Sequence, residues 1–380
     1  MSFSSLGISP ILVEALEGQK YSKPYPIQEQ AIPAILQKKD VLGIAKTGSG
    51  KTASYVLPIL MNLEGKSTGS GRNVNTLVLV PTRELAIQVE QVFSSFGSNL
   101  RYNFKSMAVH GGVSINPQMK AMFNINVLVA TPGRLLELYR ANAVKFDAID
   151  TFVLDEADKL LNLGFKEELD RILTLLPKKR QNLLFSATLS PDIQNIERLL
   201  LDNPLVINLA PEESNIELIK QLAYSVTDER KGPLLRYLIK ENNMKQVLVF
   251  TSSVYQADSV AEKLNKNGIN AKAIHSKKSQ GSRNESLITF KNGSLTVLVA
   301  TDLLARGIDI EFLPHVINYE LPRSPKDFNH RIGRTGRAEN PGDAITFVTE
   351  ADEHHFGVIE KKMKKEVERL DAASLKLHGY

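Results

Sequence analysis

Thr151-Phe152-Val153-Leu154-Asp155-Glu156-Ala157-Asp158 is the stretch on which the fold reading turns. Its first half is an apolar run without polar alternation, which predicts a strand buried on both faces, as in a parallel sheet. Its second half places carboxylates at the end of that strand. Upstream, a similar run, Asp40-Val41-Leu42-Gly43-Ile44, leads into Ala45-Lys46-Thr47-Gly48-Ser49-Gly50-Lys51-Thr52. Glycines there let the backbone N–H groups of Thr47, Gly48, Ser49 and Gly50 wrap the β- and γ-phosphates of a nucleotide. Lys51 supplies a point charge to those phosphates, and the Thr52 hydroxyl can ligate Mg2+. Asp155 would hold the same ion, directly or through water, while Glu156 would orient and deprotonate an attacking water. These are the parts of a nucleoside triphosphatase. Ala45 stands where the phosphate-loop pattern has its first glycine. The strand before and the helix after therefore carry the reading, more than the pattern itself.

Two series of short apolar runs alternate with helical patterns. The first is Val41–Ala45, Thr76–Val80, Val127–Ala130, Thr151–Leu154 and Asn182–Ser186; the second is Gln246–Thr251, Asn270–Ile274, Thr296–Ala300, His315–Tyr319 and Ala344–Val348. Segments such as Arg83–Phe96 and Ser253–Asn267 repeat apolar residues at spacings of three and four, as helices do. This is the βαβ rhythm of an α/β fold, a parallel sheet covered by helices, occurring twice. The polar stretch Ala210-Pro211-Glu212-Glu213-Ser214-Asn215 separates the series. It predicts domains at 1–210 and 217–380 joined by a linker at 211–216. Residues 351–380 read as helical, with Lys361-Lys362-Met363-Lys364-Lys365 as a solvated face flanked by Glu360, Glu366 and Glu368.

A chain of 380 residues exceeds one ordinary core, and 42% hydrophobic with 23% charged residues is a globular composition. No apolar run approaches the ~20 residues needed to span a bilayer. Met1-Ser2-Phe3-Ser4-Ser5 lacks the basic and apolar regions of a signal peptide. With no cysteine, disulfides and thiolate metal sites are excluded. A cytoplasmic location fits these features. The net charge of +5 is spread over both halves, so a nucleic acid would bind in a cleft of specific groups, not on a polycationic arm.

Hydrolysis also needs compensation for charge spreading over the γ-phosphoryl oxygens. His330-Arg331-Ile332-Gly333-Arg334-Thr335-Gly336-Arg337 sets three arginines at spacing three, roughly along one face if the segment is helical. They read either as an ordinary basic helix or as arginine fingers directed at a nucleotide.

These residues resemble the DEAD-box RNA helicases over roughly positions 3–350. The resemblance also includes Pro81-Thr82-Arg83-Glu84-Leu85-Ala86, Gly111-Gly112, Thr131-Pro132-Gly133-Arg134, Ser186-Ala187-Thr188, Gln280 with Arg283, Ala300-Thr301-Asp302, and Ala305-Arg306-Gly307-Ile308-Asp309. It implies two RecA-like lobes with ATP and RNA in the cleft between them. It implies that Gln28 reads adenine, with Tyr21 in the same element and Phe3 stacking on the base, and that Asp309 holds the ribose. Arg334 and Arg337 match the fingers. Asp158, Ser186, Thr188 and His330 match residues that couple the ATP site to strand separation. RNA contacts carry over to Pro81, Thr82, Arg83, Gly112, Thr131, Gly133, Arg134, Gln280, Arg283, Thr301 and Asp302. Hydroxyls, amides and arginines suit phosphate and 2′-hydroxyl recognition, hence sequence-tolerant backbone binding. Each also has a purely structural reading; Thr131-Pro132-Gly133 would turn anywhere.

Within the family the chain is most similar to the bacterial RhlE-like subgroup, through Met1-Ser2-Phe3 opening into Leu6-Gly7-Ile8 and through Gln181-Asn182-Leu183-Leu184-Phe185. Lys20, Tyr21, Tyr25 and Asn162 depart from the family pattern. The implied activity is RNA-stimulated hydrolysis of ATP, with Mg2+, driving local unwinding of RNA duplexes or remodelling of RNA–protein complexes. A DNA-directed translocase and a nucleotide-gated RNA clamp stay open beside it. Ribosome-assembly or RNA-decay proteins are the partners such a resemblance implies, and no residue chooses between them.

Overall fold

A computed structural model describes residues 1–19, 21–45, 48–64, 71–209, 219–302, 313–335 and 342–380. It divides into two compact units, Met1–Glu212 and Glu213–Tyr380. Thr47, Asp309, Arg337 and the linker at 211–216 lie outside the described residues.

The first unit holds β1 (Val41–Ile44), β2 (Thr76–Leu79), β3 (Ser106–Val109), β4 (Val127–Ala130), β5 (Thr151–Leu154), β6 (Gln181–Ser186) and β7 (Leu205–Asn208) in the order 3-4-2-5-6-1-7. The second holds β8 (Lys220–Ser225), β9 (Val247–Thr251), β10 (Ala271–Ile274), β11 (Val297–Thr301), β12 (His315–Asn318), β13 (Asp343–Val348) and β14 (Glu368–Asp371) in the order 10-11-9-12-13-8-14. All pairs are parallel. Subtracting seven from each number in the second sheet reproduces the first, so the chain uses one topology twice.

Period-two geometry explains why the strands are apolar throughout. Val127, Val129 and Val153 enter one core of the first unit, while Leu128, Ala130, Phe152 and Leu154 enter the core on the opposite face. In the second sheet Val247, Val249, Val297 and Val299 face one core, and Leu248, Phe250, Leu298 and Ala300 the other.

Four strands were not among the runs read from the sequence. β3, β7 and β14 are sheet edges and β8 lies beside one; each is incompletely buried, although β7 contains the apolar run Leu205-Val206-Ile207. The C-terminal expectation also changes. The helix Glu353–Met363 stops where Lys364 turns left-handed at φ 54, and β14 then pairs with β8. Arg369 of β14 reaches back to Glu353 and Glu360, which returns the chain to the sheet. A further correction concerns the arginine triplet. The helix Pro325–Ile332 is capped by Gly333, so Arg331 and Arg334 do not share a helical face.

Asp40 ties three strands together where they begin. Its Oδ1 accepts the Asn182 N–H at 2.7 Å, and its Oδ2 accepts the Asp202 N–H at 2.9 Å and the Asn182 amide at 3.3 Å. Asp40→Ala leaves these buried donors without an acceptor. The expected loss in urea unfolding is about 2–4 kcal/mol, with Asp40→Asn losing less because its oxygen still accepts one bond. A loss below about 1 kcal/mol for the alanine variant would remove Asp40 from this role.

Candidate active site

Strand order sets side by side what the sequence separates. β5, β6 and β1 are consecutive in the sheet, so the loops after Leu154, Ser186 and Ile44 meet at one edge. Ligands of open α/β sheets bind at that carboxyl edge. Gly50 has φ 87 and starts the helix Lys51–Leu63. A Cβ there would lie 2.5 Å from Gln28 Nε2 and 2.9 Å from the Tyr25 ring. Both the backbone angle and the space therefore require glycine. The close neighbour is itself informative. Gln28 is fully buried, accepts the Tyr25 N–H at 2.9 Å and donates to the Gly50 carbonyl at 3.1 Å. Its amide thus pins the upstream helix Pro26–Leu36 onto the phosphate loop.

Lys51 is buried and its amine donates to the Ala45 carbonyl. Burial pushes its pKa down, opposed by the charges of Asp155 and Glu156. Asp155 is also buried, and its pKa is pushed up to about 6, first by burial and then by Glu156. Its Oδ2 accepts the Tyr55 hydroxyl at 2.8 Å and its Oδ1 accepts the Glu156 N–H at 2.8 Å. Tyr55, pushed well above its ordinary pKa by burial, stays a donor. The sequence reading missed it, although it sits one helical turn beyond Lys51, on the same face.

Glu156 takes a left-handed backbone, φ 50 and ψ 46, at the start of the helix Ala157–Asn162. Such a conformation costs a non-glycine residue about 1–3 kcal/mol. One carboxylate oxygen of Glu156 accepts Lys159 Nζ at 2.6 Å; the other is buried without a partner. Asp158 accepts the Ala187 N–H at 3.4 Å, joining the carboxylate turn to the loop after β6. Ser186 Oγ donates to the Thr188 carbonyl at 2.9 Å. Ser190, not this hydroxyl pair, caps the next helix, Pro191–Leu200.

These groups fit a nucleotide with its cation. Ser49 Oγ and Glu156 Oε2 are buried and unpartnered, next to a buried amine. Thr52 and Asp155 offer the hard oxygen donors that Mg2+ takes. Among the described residues no cluster of three or more His, Cys, Asp or Glu could hold a metal alone. Two expected nucleotide contacts sit differently. Phe3 is 5% exposed in the core of the first unit, and Tyr21 packs edge-on against Phe96 at 6.1 Å. The exposed aromatic against Gly50 is Tyr25.

β3, β4 and β2 continue this edge on the other side of β5. Thr82 caps the helix Arg83–Gly97. Arg83 lies over Gly112, where φ is +78 and a Cβ would be 1.7 Å from its guanidinium. Arg134 is buried, donating to Val113 O and Glu137 at 2.8 Å each. Pro81 precedes Thr82, and Thr131 N bonds Val109 O, drawing the three loops together. A Cβ on Gly133 would meet nothing within 4 Å, so packing does not demand glycine there. It leaves the first turn of the helix Pro132–Arg140 open to an approaching ligand.

The second unit repeats the pattern. Thr301 ends β11, Asp302 follows it, and Gln280 and Arg283 lie on the helix Gln280–Lys291 that follows β10. Asp302 is engaged by Arg331, at 2.5 and 2.8 Å, and Arg331 also donates to Asn318 and Glu320 and stacks 4.9 Å from the Phe250 ring. Arg331 is therefore a buried structural residue. Arg334 follows that helix, its carbonyl accepting from Leu313 N. His330 is exposed on its last turn. Beside Thr301, Ser252 follows β9 and donates through its N–H and hydroxyl to Glu320, and Ser253 caps the helix Val254–Lys266.

Residues 25–196 match the family described as DEAD/DEAH box helicase, and residues 230–339 match the helicase conserved C-terminal domain. The chain is 39% identical to the ATP-dependent RNA helicase CshA of Limosilactobacillus reuteri over 362 residues, 95% of this chain and 72% of that one. It belongs to the DEAD-box ATP-dependent RNA helicases. This helicase is also 37% identical to the DEAD-box ATP-dependent RNA helicase CshA of Bacillus cereus over 375 residues, 98% of its own length and 70% of the relative's. Among solved structures it resembles Saccharomyces cerevisiae Dbp5 bound to RNA and ADP BeF3, with 30% identity and a TM-score of 0.83 over 97% of this chain and 95% of that one. A DEAD box protein of Methanococcus jannaschii is 34% identical, with a TM-score of 0.55 over 97% and 99%. The two-lobed RecA-like fold is thus shown. The relatives named here are CshA proteins, not RhlE proteins.

Asp155 generates a pH prediction. Its folded pKa of about 6 exceeds the ordinary 3.8, so its contribution to stability is full below pH 3.8 and is lost as pH rises through 6. Asp155→Asn should flatten this part of the stability profile and raise the Tm of nucleotide-free protein at pH 7.5 while abolishing turnover. A lower Tm in thermal denaturation would contradict the assigned direction. Gly112→Ala should displace Arg83, lowering RNA-stimulated turnover while changing Tm by only a few degrees, since a left-handed alanine costs about 1 kcal/mol. Unchanged RNA stimulation would release Gly112 from that role.

Proposed function

We propose that this helicase hydrolyses ATP to ADP and phosphate when RNA is bound, and uses the cycle to separate short RNA duplexes. The observation that carries the reading is the carboxyl edge of the first sheet, where phosphate loop and carboxylates adjoin the Arg83–Gly112–Arg134 cluster. Residues 1–210 are proposed as the ATP-binding domain, 211–216 as the linker and 217–380 as the C-terminal helicase domain.

The roles follow from the chemistry. Backbone amides of Thr47–Gly50 hold the β- and γ-phosphates, and Lys51 exchanges the Ala45 carbonyl for phosphate oxygen. Mg2+, held by Thr52 and Asp155, would screen the phosphate charge when bound. Tyr55 keeps Asp155 oriented. Glu156 accepts the proton of the attacking water as its oxygen bonds to the γ-phosphorus and the bond to the β-phosphate oxygen breaks. Gln28 reads adenine after exchanging the Gly50 carbonyl for the base edge. Phe3 stacks on the base only if it leaves its core site; Tyr25 is the exposed alternative. Asp309 holds the ribose. Arg334 and Arg337 neutralise the transferring phosphoryl group from the second unit. Asp158, Ser186, Thr188 and His330 relay nucleotide state to the RNA contacts, which are Pro81, Thr82, Arg83, Gly112, Thr131, Gly133, Arg134, Gln280, Arg283, Thr301 and Asp302.

Because each ligand would engage groups of both units, each should raise the other's affinity by about 5–150-fold. The RhlE-like affiliation, a cytoplasmic location and ribosome-assembly or RNA-decay partners belong to the same proposal, supported by the sequence features above. Among the described residues no helix is long and apolar enough to cross a membrane.

Glu156→Gln should lower RNA-stimulated ATP turnover by about 10²–10⁴-fold. It should retain ATP-dependent RNA binding in a filter assay. Full turnover in this variant would eliminate Glu156 as the base, and equal stimulation by RNA and DNA of one sequence would favour a DNA-directed motor.

A further inference from the structure

The opposite, amino edge of the first sheet carries a second polar site. A hollow of about 850 Å³ opens among the turns that precede β1, β6 and β7. Lys38, Lys39, Lys178, Lys179 and Arg180 line it, against Asp40 and Asp202. Among the described residues Asp40 is spent on the bonds that join the strands, so its carboxylate belongs to the floor. Lys39, Lys178 and Lys179 are exposed at the rim. The whole chain carries only +5, so this concentration of cations is a local feature.

The floor is not saturated. Asn182 is 7% exposed and gives its Nδ2 to Asp40, yet its Oδ1 is buried with no partner. Arg180 lies over the Phe152 ring and donates Nη1 to the Pro177 carbonyl, and its Nε alone is buried without a partner. Buried polar atoms without partners are uncommon in native proteins, and a ligand is one explanation. The pair asks for a ligand with an acceptor for the guanidinium and a donor for the amide oxygen. A phosphodiester beside a sugar hydroxyl supplies both, and the rim lysines match neighbouring phosphates. A hollow of this size is within the range of small-molecule sites and can take a nucleotide or two.

We propose that this hollow is a second RNA site, which holds single-stranded RNA flanking the segment bound at the catalytic edge. The β strands and their loops separate the two edges, so only a longer RNA would reach both. Lys178 and Lys179 would take phosphates, Arg180 a phosphate oxygen, and Asn182 a ribose 2′-hydroxyl. The site tethers RNA and takes no part in hydrolysis. Its contribution is an effective-concentration gain for long substrates. The inference rests on RNA being the ligand of this helicase.

The test compares a ~10-nucleotide RNA with a ~40-nucleotide RNA in the full chain, with ATP present, over a series of salt concentrations. Lys178→Glu with Lys179→Glu should weaken the long RNA about tenfold and reduce its salt slope by about 1.4. Short-RNA affinity and short-RNA-stimulated ATPase should be unchanged, which also confirms folding. The neutral variant, Lys178→Gln with Lys179→Gln, should fall between. Replacing the flanking part of the long RNA by DNA should remove part of the gain, because the Asn182 partner is lost. Equal weakening of short and long RNA, or no weakening of long RNA, would overturn the proposal. Wild-type protein that binds tripolyphosphate at the hollow but gains nothing from a longer RNA would overturn it in favour of a small phosphate ligand. Failure of wild-type protein to bind the short RNA would instead count against the helicase reading.

Discussion

A buried carboxylate next to a buried amine is the constraint around which the first unit is arranged. Asp155 follows β5 and Lys51 opens the helix after β1, and each is stripped of water. Neither would persist there alone, since burial disfavours both charged forms. Their neighbours make the arrangement tolerable: the Tyr55 hydroxyl, the Glu156 N–H and the Ala45 carbonyl. The same groups are those that a phosphate and its cation would re-pair. The site is therefore held short of its best electrostatic state until a ligand supplies the missing charges.

This tension can be sustained because the scaffold is stiff. Strands buried on both faces have no room to slip, since a one-residue shift would exchange the two cores. Val153 and Leu154 commit to opposite faces, and Asp155 follows with its position fixed. The left-handed Glu156 is a local strain that such a scaffold can hold. In the second sheet, the same topology sets Arg331 against Asp302 instead of building a phosphate loop. One architecture thus carries the candidate nucleotide site in the first copy and a buried ion-pair network in the second.

The amino and carboxyl edges of the first sheet also differ in kind. The carboxyl edge gathers groups that are adjustable: an amine on a carbonyl, a glutamine on a loop, an arginine over a glycine. Around Asp40 the amino edge gathers groups that lock strands together, with cations arranged around them. Chemistry that must change partners is kept at one end, and anchoring at the other.

Apolar runs revealed the central strands, because those positions are buried on both faces and admit no polar residue. The phosphate loop and the Asp155–Asp158 turn were legible for a related reason: their chemistry tolerates few residue types. β3, β8 and β14 were not legible, since they are incompletely buried and mix polar with apolar residues, while β7 was overlooked although Leu205-Val206-Ile207 is apolar. The burial of Phe3, the capture of Gln28 by Gly50 and the structural duty of Arg331 were equally hidden. Each depends on which distant residue arrives beside it. Sequence specified which groups are present and how strands alternate their faces; only the order of strands in the sheet decided which of those groups meet, because neighbours across a parallel sheet are set by crossovers and not by proximity along the chain.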